Sequence, residues 1–195
     1  MKILKIFGIG IVGLIALVIV ISFFLPKSYH VERTVSIGAP AAQVHRLTSD
    51  LQDGWPQWEP FSKADESVQT TYGAITSGVG ASQAWTSDSG NGELTFTACD
   101  VSNGVEYDMA FNVDQYLSTA SLTYNTTATG TDVTWAMDGE VSGIVGKYFG
   151  VLMDGMVGPM FETGLNDLKT AAEALPSLEA APAEILEEVV ETEAG

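Results

Sequence analysis

The chain has 195 residues, 46% of them hydrophobic, with 25 acids against 8 bases, a formal net charge of −17 and a single cysteine. That length accommodates one membrane segment, one domain and a short tail. A field of this sign repels phosphate backbones and disfavours nucleic-acid binding, and one cysteine allows neither an intrachain disulfide nor a cysteine-held metal.

Lys2 and Lys5 precede an uncharged run from Ile6 to Leu25. As a helix that run spans roughly 30 Å, the thickness of a bilayer core. A cleavable signal peptide would have a shorter apolar core and a small-x-small site, whereas this run ends Ser22-Phe23-Phe24-Leu25-Pro26. Residues 1–28 are therefore expected to be an uncleaved, single-pass transmembrane anchor. Lys2 and Lys5 face Lys27 and Arg33 across the run, a slim bias toward a cytoplasmic N-terminus and an extracytoplasmic domain.

Tyr29–Ile37 alternates and reads as a first strand, with Val31, Arg33, Val35 and Ile37 on one face. Arg33 there calls for the sheet's end or an acidic partner. Gly38-Ala39-Pro40 breaks the strand and opens a short helix over Ala41–Ser49, with Val44 and Leu47 inward. A second short helix or turn over Leu51–Trp58 carries Trp55 and Trp58, followed by Pro60-Phe61. Six period-two stretches follow: Val68–Ala74, Ala81–Ser87, Glu93–Cys99, Val105–Val113, Leu117–Thr127 and Asp132–Val141. Asn103-Gly104, Thr129-Gly130 and similar turns join them. The inward sets are Leu94/Phe96/Ala98, Val105/Tyr107/Met109/Phe111, Ala120/Leu122/Tyr124 and Val133/Trp135/Met137, opposite faces rich in Thr, Ser, Glu and Asp. That is an antiparallel sheet with one apolar face.

Gly143–Leu175 has apolar residues at three- and four-residue steps, including Val145, Phe149, Leu152, Met156, Phe161, Leu165 and Leu168. It reads as one long amphipathic helix, capped by Ser142 and ended by Pro176. Gly146, Gly150, Gly155, Gly158 and Gly164 weaken it, and Pro159 should kink or break it. These glycines serve either close packing or a movable lid. The acidic, Ala-rich tail, 176–195, is expected to be disordered or transiently helical around Ile185–Val190. The class is α+β, in the order β-α-α-β6-α, with residues 29–175 forming a sheet curled around the closing helix.

With these residues, the order resembles the START-like (SRPBCC) superfamily of helix-grip proteins, and in particular bacterial membrane-anchored members of its polyketide cyclase/dehydrase group. Three stretches carry the resemblance: Tyr29-His30-Val31-Glu32-Arg33 running into Ile37-Gly38-Ala39-Pro40; Trp55-Pro56-x-Trp58; and Trp135-Ala136-Met137-Asp138-Gly139-Glu140 running into Gly146-Lys147-Tyr148-Phe149-Gly150 and Gly158-Pro159-x-Phe161. The resemblance implies a seven-stranded sheet gripping the last helix, with a cavity for apolar molecules between them.

No Ser/His/Asp constellation can be placed, and no cofactor is indicated. His45 reads as a solvated helix residue, and Asp138 with Glu140 as a solvated edge or partners of Arg33. A concentrated aromatic and methionine set remains: Trp85, Phe96, Tyr107, Met109, Phe111, Tyr124, Trp135, Met137, Tyr148, Phe149, Leu152 and Met156, with Met153 beside them. Periodicity alone makes these a core. The resemblance makes them a ligand-binding wall, a role that suits rings with one polar atom and adaptable sulfurs. Three functions follow: a membrane-tethered binder of an apolar or amphipathic small molecule such as a lipid; a polyketide cyclase/dehydratase-like enzyme using Asp138, Glu140, Tyr107 or Tyr124; and an interaction module recruiting a basic protein through its acidic surface and tail.

Overall fold

The computed structural model describes residues 2–112 and 116–176; in the first helix, side chains are described at Phe7 and from Gly10 onward. The acidic tail beyond Pro176, and Val113 at the end of one expected strand, lie outside the described residues. Helix α1 spans Lys2–Ser22. Strand β1 (Ser28–Ile37), helix α2 (Ala41–Thr48), a 3-10 turn (Trp55–Gln57) and helix α3 (Phe61–Ala64) lead into the meander. The meander is β2 (Gln69–Tyr72), β3 (Ser82–Ser87), β4 (Gly90–Asp100), β5 (Gly104–Phe111), β6 (Tyr116–Thr127) and β7 (Gly130–Glu140), and α4 (Gly143–Ala174) closes the chain.

Among the described residues no helix is long and apolar enough to cross a membrane. The expected anchor over 1–28 is therefore not supported. The end of α1 is tied to α4: Lys147 Nζ donates to the Ser22 carbonyl at 2.8 Å and the Tyr148 hydroxyl to that of Val18 at 2.9 Å. The first satisfies a carbonyl that a helix C-terminus leaves without an intrahelical partner.

The seven strands form one antiparallel sheet in the order β1-β7-β6-β5-β4-β3-β2. Chain-order neighbours pair through β2–β7, and β1 closes onto β7 with Val31 opposite Met137 and Ile37 opposite Thr131. The inward face carries Val31, Leu94, Phe96, Val105, Tyr107, Leu122, Val133 and Trp135, all buried. One expected inward residue changes place. A bulge between Phe96 and Ala98 shifts the register, setting Cys99 opposite inward-facing Val105 and Ala98 opposite exposed Glu106. An extra residue in one strand inverts the alternation beyond it, so Cys99 joins the core margin in place of Ala98.

Helix α4 runs unbroken through Pro159. Proline costs the bond to the Gly155 carbonyl, but outside contacts hold the turn. Arg33, on β1, donates from Nε to Glu162 Oε1 and from Nη1 to Asp154 Oδ1, each at 2.7 Å, and so clamps α4 on both sides of Gly158. A Cβ on Gly158 would lie 2.1 Å from Arg33 Nη2, so glycine is what admits the guanidinium. Arg33 thus pairs with acids of α4, not with Asp138 or Glu140. Ser142 precedes the helix in extended backbone but makes no side-chain cap. At the other end, buried Gln43 of α2 donates from Nε2 to the carbonyls of Ala172 and Leu175 at 2.7 and 2.8 Å.

The apolar stripe of α4 divides at Gly158. Phe161, Leu165, Leu168 and Ala172 are buried against the sheet, whereas Val145, Phe149, Leu152 and Met156 are between 51% and 77% exposed. The sheet grips only the second half of the helix.

Candidate ligand-binding site

A cavity of about 350 Å³ lies between the concave face of β3, β4, β5 and β7, helix α3 and the middle of α4. Its floor is buried and aromatic: Trp55, Tyr107, Trp135 and Phe161, with Leu94 and Met137. Its rim is exposed or half-exposed and carries Phe61, Ala64, Asp65, Val68, Thr70 and Ser87, which places the mouth at the α3–β2 edge.

Each floor ring is held from several sides. Trp135 on β7 stacks on Phe161 of α4 at 4.0 Å and an interplanar angle of 6°, and meets Trp58 edge-on at 5.2 Å. Gly164 permits that approach, because a Cβ there would sit 2.9 Å from the Trp135 ring. Trp55 is fixed by its Nε1 donating to the Thr48 carbonyl at 2.8 Å, and it crosses Tyr107 at 5.4 Å. Trp135 Nε1 donates to the Tyr107 hydroxyl at 2.8 Å. Burial pushes the Tyr107 phenol well above its ordinary value, so it stays protonated.

The rim acids are occupied. Glu59 accepts from the backbone N–H of Phe61 at 2.9 Å and also bonds Ser62. Asp65 accepts from the Ser67 N–H and hydroxyl at 3.0 and 2.6 Å, bonds that hold its carboxyl below the usual range. Both carboxylates serve their own turns.

Six of the residues singled out in the sequence line this cavity: Trp85, Tyr107, Met109, Phe111, Trp135 and Met137. Phe96 is buried beneath it, against Trp55 and Tyr107. Tyr124 lies elsewhere in the core, hydrogen-bonded to Thr48. Tyr148 reaches α1, and Phe149, Leu152 and Met156 face outward on the ungripped half of α4. Met153 is half-buried at the core margin, outside the cavity lining. Helix α4 contributes Val157, Met160 and Phe161 to the wall instead. The signals for the unforeseen residues were the Trp55-Pro56-x-Trp58, Pro60-Phe61 and Gly158-Pro159-x-Phe161 clusters.

The other ionisable candidates lie away from the cavity. Asp138 bonds His30 Nδ1 at 2.8 Å, which raises the His30 pKa, and it borders with Glu140 an open groove of about 430 Å³ beside Tyr29 and Leu117. His45 is half-buried, not solvated. Its Nε2 lies 3.7 Å from Cys99 Sγ and its Nδ1 3.5 Å from the Tyr124 hydroxyl. Burial lowers the imidazole pKa and raises that of the thiol, so both groups are neutral, the reverse of an activated cysteine–histidine pair.

A one-sided sheet closed around a C-terminal helix, with an aromatic-floored cavity between them, defines a helix-grip α+β protein built to hold a hydrophobic molecule. Residues 28–173 match the family model described as polyketide cyclase / dehydrase and lipid transport, and the chain belongs to that SRPBCC family. Membership implies a hydrophobic small-molecule ligand. The fold is similar to that of KanY protein (17% identity, TM-score 0.57, 76% of this chain and all of that one). It is also similar to protein CV1439 from Chromobacterium violaceum (14% identity, TM-score 0.55, covering 77% of this chain and 100% of that one). A Thermobifida fusca protein is alike at 20% identity and TM-score 0.55, over 76% of this chain and 95% of that one. No curated protein matches the sequence.

Proposed function

We propose that the protein binds an apolar or amphipathic small molecule, a lipid among the candidates, in the cavity between β3–β5, β7 and α4. The observation that carries this reading is the cavity itself, about 350 Å³ with buried rings and thioether-bearing side chains on its floor. A volume in that range suits a small apolar ligand. Tyr107 is the one ionisable group on the cavity floor among the described residues, and it is held neutral by burial. Binding is therefore favoured over cyclase or dehydratase chemistry, which needs a positioned acid–base pair.

Attachment to a membrane is the second part of the proposal. Its support is the uncharged run Ile6–Leu25 together with the exposed Phe23 and Phe24 and the outward apolar side chains of α1. Placed at a bilayer, the cavity would meet membrane-soluble ligands at raised effective concentration.

Binding is tested by titrating the protein with aminoanthracene and by solvent extraction followed by mass spectrometry. Val157→Trp, which fills the cavity from α4, should weaken aminoanthracene at least about tenfold with the melting temperature retained. Equal binding by this variant, or no uptake and empty extracts throughout, refutes the reading. Membrane attachment is tested by fractionating the full chain and a chain lacking residues 1–27; equal recovery of both in the soluble fraction refutes it.

A further inference from the structure

The cavity floor carries a single hydrogen-bond donor whose proton is unspent. Tyr107 is 2% exposed, and its hydroxyl oxygen accepts from Trp135 Nε1 at 2.8 Å. That indole N–H can only donate, so the tyrosine's own proton must point elsewhere. Among the described residues it meets no acceptor, and the oxygen's one hydrogen bond is the one it receives from the indole. A buried donor left in this state is unfavourable, because it has given up water without gaining an acceptor. Its surroundings are rings and Leu94, Met109 and Met137, none of which offers an oxygen. The other polar residues of the wall include Glu59, Asp65 and Gln83, the last opposite Leu94 in the β3–β4 ladder, and none of these three is hydrogen-bonded to the Tyr107 hydroxyl.

Resting on the binding function proposed above, we infer that Tyr107 selects ligands carrying an acceptor oxygen, a carbonyl in the first place, and seats that oxygen at the cavity floor with the hydrocarbon body toward the mouth. The indole strengthens the phenol as a donor, because an oxygen that accepts a hydrogen bond gives its own proton more readily. The donor persists across the physiological pH range, since burial keeps the phenol protonated. The ligand is thereby narrowed from any apolar molecule to an apolar ketone, ester or similar carbonyl compound that enters polar end first.

The test compares acetylnaphthalene with isopropylnaphthalene, probes of similar shape that differ by the carbonyl. Both are titrated into the full chain and into Tyr107→Phe by displacement of aminoanthracene. The substitution should weaken acetylnaphthalene by about five- to thirtyfold and leave isopropylnaphthalene unchanged. Equal losses for both probes, or no loss for either, overturn the hydrogen bond while leaving the cavity's binding role standing. Failure of both probes and of aminoanthracene to bind the unaltered chain overturns the binding function as well. Infrared spectroscopy of carbonyl-labelled acetylnaphthalene on the unaltered protein does not depend on the variant's folding. A carbonyl stretch lowered from its value in hexane is expected, and an unshifted stretch, or one matching the ketone in water, refutes the assignment.

Discussion

Alanine substitution along α4 separates close packing from a movable lid, because its glycines meet very different surroundings. Gly155 is exposed, and a Cβ there has nothing within 4 Å. Gly155→Ala should therefore collect the helix-propensity difference of about 1 kcal/mol and raise the melting temperature by about 2–4 °C. At Gly158 the added Cβ would lie 2.1 Å from Arg33 Nη2, so the guanidinium must leave Asp154 and Glu162. The arginine side chain is 26% exposed but both carboxylates are 59% exposed. That solvent screening keeps the two contacts weak. Losing both of them and displacing the guanidinium should still outweigh the propensity gain, so Gly158→Ala should be less stable than the parent. Gly150, whose Cβ would touch Val141 Cγ2 at 3.0 Å, should fall between them. Urea and thermal unfolding of the three variants give the order directly. A destabilised Gly155→Ala, or a Gly158→Ala as stable as the parent, would refute the packing account. A Gly155→Ala variant of raised stability that releases aminoanthracene more slowly would instead assign that glycine to motion.

Phe161→Ala removes the ring stacked on Trp135 and should cost about 3–5 kcal/mol, read as a lowered urea midpoint; a loss below about 1 kcal/mol would show that the stack relaxes freely. Gln43→Ala removes the side-chain donor shared by the carbonyls of Ala172 and Leu175, the first of which keeps the Leu175 N–H, and should cost about 1–3 kcal/mol and speed amide exchange in the last turn of α4. His30, hydrogen-bonded to Asp138, should titrate by NMR above its ordinary 6.5, and Asp138→Asn should return it toward that value. Because the folded-state value is the raised one, this contribution to stability is complete below pH 6.5 and is lost as pH rises through the folded value. His45 behaves oppositely. Its lowered value means stability is lost as pH falls below 6.5 and levels off beneath the folded value, an effect that His45→Gln should abolish.

Much of the fold was legible because local patterns have local causes. Alternation with turn residues at Asn103-Gly104 and Thr129-Gly130 placed β5, β6 and β7 to within a residue or two, and the three- and four-residue spacing placed α4 at Gly143–Ala174. The site was legible in part. Tyr107, Met109, Phe111, Trp135 and Met137 came from the inward sets of the sheet, and only the family resemblance turned that face, with Trp85, into a cavity wall. The α4 side of the wall was not, because Phe149, Leu152 and Met156 lie on the same apolar stripe as Phe161 and Leu165. Periodicity records which side of a helix a residue occupies. It is silent on whether anything stands opposite.

The sequence by itself determined the α+β class, the bounds of β5–β7 and α4 to within about two residues, the one-sided sheet and the acidic character that opposes nucleic-acid binding. Tertiary structure alone decided where α4 is gripped, since the Arg33 clamp onto Asp154 and Glu162 and the cap from Gln43 join residues more than a hundred positions apart. It also decided that Cys99 turns inward, through a bulge visible only in the β4–β5 register. Above all it decided that Trp135 spends its N–H on Tyr107, whose own proton meets no acceptor among the described residues at the floor of an apolar cavity. Such facts rest on distances between strands and helices, which close only when the whole sheet has curled around its helix.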